Sequence, residues 1–188
     1  MQKIIIITAP SGSGKSTLVK RLLEAVPELS FSISACTRSP RGSEKNGVEY
    51  YFLSVEAFKQ HIQQDDFIEW EMVYEGKYYG TLKTEIDRII KEHHIPLVDI
   101  DVKGALKVQK QYQSNALSIF IKAPNLEILK ERLIKRGTDT PDSIQERLEK
   151  ASEELTFAFA FNNILINDDL EEASKALIQL VKSFLYVS

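Results

Sequence analysis

A chain of 188 residues with 43% hydrophobic and 27% charged side chains has the size and balance of one compact domain with room for small inserted lobes. A net charge of −3 at pH 7 and a pI near 5.7 argue against a broad nucleic-acid surface, though not against a local arginine cluster that binds small anions. No apolar run is long enough to span a bilayer, and the single cysteine, Cys36, excludes an internal disulfide or a cysteine zinc site, so a cytoplasmic protein is expected. The apolar start Met1–Ala9 lacks a charged lead-in and runs directly into Pro10-Ser11-Gly12, so no targeting segment is expected.

In chain order, Ile4–Ile7 reads as a buried strand and Lys15–Ala25 as the helix behind it. Phe31–Cys36 reads as a second strand, followed by a polar, turn-rich stretch, Ser39–Val48, and an extended Glu49–Phe52. Ser54 caps a helix through Ile62, and Phe67–Val73 is extended again. Lys83–His93 is helical by pattern, Pro96–Asp101 is a short buried strand, and Gly104–Tyr112 a helix. Then come a strand at Ala116–Lys122 and a helix at Leu126–Lys135 capped by Asn125. Thr140-Pro141-Asp142 opens the next helix with a capping hydroxyl, a first-turn proline and a carboxylate at the positive dipole end. That helix is expected to run to Phe161, and a strand at Asn163–Ile166 and a helix at Leu170–Leu185 close the chain. This alternation predicts an α/β fold with a mainly parallel sheet flanked by helices, and residues 31–90 fit it least well, as an inserted lobe would.

The segment Ala9-Pro10-Ser11-Gly12-Ser13-Gly14-Lys15-Ser16, with Thr17 behind it, sits between a predicted strand and a predicted helix, the setting a phosphate-binding P-loop requires. Gly12 and Gly14 let the backbone wrap and aim its N–H groups at phosphate oxygens, and the helix start adds unpaired N–H groups and a positive dipole end. Lys15 is expected to reach the β- and γ-phosphates of ATP, and Ser16 to ligate Mg²⁺. Ala9 replaces the usual first glycine, which is harmless if its φ is negative. The plainer reading, a generic Gly/Ser turn, leaves the Gly-Lys-Ser at the junction unexplained.

Two carboxylates, Asp99 and Asp101, end the Pro96–Asp101 run on one strand face, and Asp99 is the candidate for holding hydrated Mg²⁺, with helix capping as the alternative. Arg132 and Arg136 share a helix face, and Arg147 lies on the next helix; charge stabilisation of a transferring phosphoryl and salt bridging with Glu131, Glu146 and Glu149 are both open. Asn167 either touches adenine or caps the last helix. His61, His93 and His94 lie outside the motif segments and read as surface residues.

Between cradle and acidic strand lies Ser34-Ala35-Cys36-Thr37-Arg38-Ser39-Pro40-Arg41, then Asn46–Phe52, Phe67-Ile68-Glu69-Trp70 and Tyr78-Tyr79-Gly80-Thr81. Two arginines three apart in a turn can converge on one phosphate, with a tyrosine hydroxyl completing the site, or form a solvated pair. A carboxylate such as Glu69 can accept from both N1–H and the 2-amino group of guanine, which adenine does not offer; as part of an alternating strand it can equally face solvent. These motifs resemble the guanylate kinase family over nearly the whole chain, most specifically through Thr37-Arg38-Ser39-Pro40-Arg41, Glu44, Gly47 and Tyr50-Tyr51-Phe52.

The resemblance implies Mg²⁺-dependent phosphoryl transfer from ATP to GMP by a P-loop core (residues 1–32 and 94–188) with an inserted GMP-binding lobe (about 33–93) and a lid (about 132–150) that carries Arg132, Arg136 and Arg147. It implies that Arg38, Arg41, Tyr50 and Tyr79 hold the GMP phosphate, Tyr79 rather than Tyr78 because it precedes Gly80-Thr81. Ser34, Glu69, Thr81 and Asp101 would address or support the guanine. Cys36 stands where many relatives have threonine, which removes one hydroxyl. Small-molecule partners are expected, with dGMP against GMP left open, and neither nucleic acid nor membrane. Two rivals remain: a kinase for another small phosphorylated acceptor, and a binding module without catalysis that recognises phosphopeptides. An intact Lys15, Ser16 and Asp99 argues against the module.

Overall fold

The computed structural model describes residues 2–137 and 140–186. Its core is a five-stranded, wholly parallel sheet in the order β2 (Leu29–Phe31), β7 (Ile95–Asp99), β1 (Ile4–Thr8), β8 (Ala116–Lys122), β9 (Asn163–Ile166). β1 lies in the middle of the sheet, and helices cover both its faces, which accounts for its run of isoleucines before the buried Thr8. Ile5 and Ile7 meet α1 (Lys15–Ala25) and α7 (Leu170–Tyr186) through Leu18, Leu22, Leu177 and Val181. Ile4 and Ile6 point the other way, against Ile86 of α3 (Lys83–Lys91) and Ala105 and Val108 of α4 (Val102–Tyr112). Ile6 has no exposed surface, and Ile6→Ala is expected to cost about 3 kcal/mol of unfolding free energy in a urea titration.

The second sheet has four strands in the order β4 (Tyr51–Phe52), β3 (Ala35–Cys36), β6 (Lys77–Leu82), β5 (Phe67–Tyr74), with β6 antiparallel to both its neighbours. It has its own small core, in which Phe58 of α2 (Val55–Gln63) stacks on Phe67 at 4.4 Å. The single strand expected over Phe31–Cys36 is corrected here: it is two strands in two different sheets. Between them the Ser32 N–H donates to Leu97 of the core sheet at 2.9 Å, and the Ile33 N–H donates to the Glu85 carboxylate at 2.9 Å. The run is β-prone throughout, but its hydrogen-bond partners change sheet halfway.

The helix caps follow the sequence: Ser54 accepts from Ala57 N–H, Asn125 from Ile128 N–H at the start of α5 (Leu126–Arg136), and Thr140 from Ser143 N–H at the start of α6 (Pro141–Leu155). The last of these helices ends earlier than expected. After Leu155 a single 3₁₀ turn, Ala158–Ala160, brings Ala158 and Phe161 under the sheet. Residues 138 and 139, within the lid expected over about 132–150, lie outside the described residues.

Candidate active site

A cleft of about 820 Å³ opens over the carboxyl ends of β1 and β7, where ligands bind in sheets of this kind, and the second sheet and α6 flank it. Every cradle residue from Ala9 to Thr17 lines it. Gly12 and Gly14 have φ of +91° and +84°, a region that only glycine enters without strain. Ala9 does not take a positive φ, so its methyl is accommodated. Close packing adds a second reason for the glycines. A Cβ on Gly14 would lie 2.2 Å from the Asn167 amide nitrogen, and one on Gly12 would lie 3.1 Å from Leu133 of α5. Lys15 pairs with Asp99 at the cleft floor.

Asn167 is buried, and its amide donates to the Ser13 carbonyl at 2.8 Å, tying the end of β9 to the cradle from beneath. The capping alternative for Asn167 is corrected: Asp169 takes that role, accepting from Glu171 and Glu172 N–H at 2.9 Å each. The three arginines all line the cleft. Arg147 donates to the Ser11 hydroxyl at 2.8 Å, and Arg132 reaches the Asp168 carbonyl at 3.4 Å. The other terminal nitrogen of Arg132 is buried without a partner among the described residues.

A second part of the cleft is built around Glu69 on β5. Its side chain is buried, accepts from the Thr81 hydroxyl of β6 at 2.7 Å, and lies with Asp101 around Gly104, where a Cβ would come within 2.5 Å of Glu69 Oε2 and 3.2 Å of Asp101 Oδ2. Burial above all, with Asp101 adding to it, pushes the Glu69 carboxyl up to about 7. Thr81 is fully buried and acts on Glu69. The expectation that Asp99 and Asp101 share a strand face is corrected: β7 stops at Asp99, and Asp101 caps α4, accepting from Lys103 and Gly104 N–H. A side-chain acceptor right after a strand end signals such a cap.

Ser34, expected at the guanine, and Tyr50 and Tyr79, expected at the acceptor phosphate, all lie on the cleft wall. Tyr50 and Tyr79 meet edge to face at 6.2 Å, and the Arg38 guanidinium lies 4.8 Å from the Tyr50 ring. Glu44 holds Arg38 in a two-pronged bond of 2.6 and 2.8 Å and also accepts from Arg41 N–H. The Arg38 bond, then the Arg41 N–H, draws the Glu44 carboxyl down to about 2. Arg41 is exposed on the turn, and its side chain is not on the cleft wall. Tyr78 points into the lobe core, against Phe58 at 5.5 Å. Tyr79→Phe is therefore expected to raise KM for the acceptor about tenfold, one lost hydrogen bond to a charged group, and Tyr78→Phe to leave it unchanged in steady-state assays. Cys36 is buried behind this wall, and burial raises its thiol pKa.

Sequence reasoning missed Glu49, Lys150 and Glu154, which also line the cleft. No motif marks the last two; their spacing from Arg147 on one helix face was the available signal.

The comparisons agree with this geometry. The family model described as guanylate kinase matches residues 1–184. A guanylate kinase of Porphyromonas gingivalis is 50% identical, with 96% of this chain and 99% of that protein covered. One from Salinibacter ruber is 41% identical, with 98% and 97% covered. The crystal structure of guanylate kinase from Anaplasma phagocytophilum superposes with a TM-score of 0.80 at 27% identity, covering the whole of this chain and 88% of that one. A phosphate cradle facing a buried carboxylate across one cleft, on a sequence matched from end to end, has one reading: the chain belongs to the guanylate kinase family.

Proposed function

We infer that the chain transfers the γ-phosphoryl group of ATP to GMP, giving ADP and GDP. The observation that carries the base assignment is the buried Glu69, held by Thr81 beside Asp101 in the same cleft as the cradle. As a carboxylate it accepts from the two donors on the guanine edge, and adenine, with an acceptor at N1, leaves it unpaired. Nothing favours a phosphopeptide module or another acceptor.

Gly12–Lys15 embrace the ATP phosphates, with Asn167 serving the nucleotide by bracing the loop. Tyr50 and Tyr79 on the cleft wall hold the GMP phosphate, and Arg38 and Arg41, neither of which lines the cleft, turn inward to join them. That phosphate oxygen is already anionic, so the attack needs alignment rather than a strong base. Arg132, Arg136 and Arg147 neutralise charge on the equatorial oxygens of the group in flight. Among the described residues no trio of His, Cys, Asp or Glu forms a metal cage, which suits Mg²⁺, an ion held by one or two protein oxygens together with phosphates and water. Ser16 and Asp99 would hold it, and when bound it offsets charge on the β- and γ-phosphates.

We further propose a division of labour along the chain: a core of residues 1–32 and 94–188, a GMP-binding lobe of 33–93 anchored on the core through α3, and a lid over 132–150. Closure of lobe and lid would exclude water from the transfer. No helix among the described residues is long and apolar enough to cross a membrane, and the cytoplasm is the proposed compartment. The test is ADP formation with GMP, AMP, CMP and UMP compared. Turnover confined to GMP is expected, and equal turnover of AMP would defeat the guanine assignment.

A further inference from the structure

The cleft wall carries one half-buried carboxylate that the reaction above does not use. Glu154 sits on α6 with its side chain 16% exposed, 3.9 Å from Lys150 on the same helix. It lies seven residues after Arg147, hence on the same helix face and about 10 Å farther along the axis. Arg147 is fixed at the phosphoryl end by Ser11. Glu154 lines the same cleft as Lys15 of the cradle and Asp101, the helix cap that flanks Glu69, and it feels the charges of both. In a nucleotide the part between phosphate and base is the sugar. A carboxylate accepts and does not donate, so beside an anionic substrate it needs hydrogen-bond donors, and the sugar supplies two hydroxyls.

We propose that Glu154 recognises the ribose of the acceptor, accepting hydrogen bonds from its 2′- and 3′-hydroxyls, and so sets the preference for GMP over its deoxy forms. The inference rests on the guanylate kinase reading. Two carboxylate oxygens match a cis-diol, as acidic residues do at the ribose of dinucleotide sites. Burial raises the Glu154 pKa, so a donor hydroxyl that solvates the anion is worth more there than in water.

The experiment measures kcat/KM for GMP, 2′-deoxy-GMP and 3′-deoxy-GMP in the wild type, Glu154→Gln and Glu154→Ala, with thermal unfolding to show that each variant folds. The wild type is expected to favour GMP over each deoxy analogue by about tenfold, the worth of one charge-assisted hydrogen bond. In Glu154→Ala both ratios should fall to near one, with Glu154→Gln between. A merely structural role would weaken all three nucleotides equally and keep the ratios, and that result overturns the proposal. So does a fall in kcat common to all three, which would assign Glu154 to the phosphoryl end. Failure of the wild type to turn over GMP would overturn the kinase reading as well, whereas normal turnover with unchanged ratios sinks this inference alone.

Discussion

Lys15→Ala is expected to lower kcat for GMP phosphorylation about 10³-fold while moving the urea midpoint very little. Lys15 is the one side-chain cation inside the cradle itself, at the start of α1, where backbone N–H groups already point at the same anion. Those N–H groups remain in the variant, so ATP still binds, more weakly. What disappears is the charge that follows the γ-phosphoryl as it moves, and the loss of one such electrostatic partner costs about 10²–10³ in kcat, more where it carries a full charge. Stability responds differently. The Lys15–Asp99 pair is partly exposed, with side chains 23% and 21% accessible, and such pairs contribute about 1 kcal/mol or less. A coupled ADP assay beside urea unfolding separates the two effects. A variant that unfolds early would make Lys15 structural, and one with full kcat would remove the cradle from the reaction.

The shape of the cradle was legible because it is local: the two glycine turns and the helix start follow from neighbours within eight positions and from the strand and helix on either side. Both faces of β1 were legible for a similar reason, since four consecutive isoleucines fit only a strand covered on both sides. The lobe was harder. β6 went unread as a strand, because Tyr78-Tyr79-Gly80-Thr81 carries the marks of a ligand motif and a glycine inside a run weakens the strand pattern. The missed signal was Glu75-Gly76, a two-residue hairpin turn with Gly76 at φ +69°, which sets Tyr74 opposite Lys77 and, past a register shift, residues 69–72 opposite residues 78–81. Gly80 is tolerated in the strand because backbone and side chains of β5 press within 3.0 Å of where its Cβ would be. That pairing also sets which tyrosine faces the cleft, since neighbours on a strand point to opposite sides. The bracing role of Asn167 was illegible for another reason: it depends on a contact spanning 154 residues, between the last strand and the first loop.

Glu69→Gln is expected to cost about 10²–10³ in kcat/KM for GMP and to erase most of the discrimination against AMP, which a site of this kind sets at about 10⁴. Glutamine offers guanine one acceptor and one misplaced donor, so one guanine N–H loses its partner inside a buried site. The same substitution tests the acidity of the site. In the free protein Glu69 holds its proton up to about pH 7, and guanine binds the ionised form, so GMP affinity should rise with pH and level off above 7. The GMP phosphate titrates near pH 6 on its own account. That component persists in the variant, and only the difference between the two profiles belongs to Glu69. Stability moves the opposite way. Below about pH 4.5 the carboxyl is protonated folded and unfolded alike, with no penalty. Between there and about 7 the unfolded chain ionises while the folded one does not, so the native state loses ground with each pH step. Above 7 the loss is constant at about 3 kcal/mol. Glutamine carries no such cost, so Glu69→Gln should melt higher than the wild type at pH 8 and equal to it at pH 4. A variant less stable at pH 8 would mean that Glu69 is ionised and well paired in the free protein, and the pH dependence of GMP binding would then have to come from elsewhere.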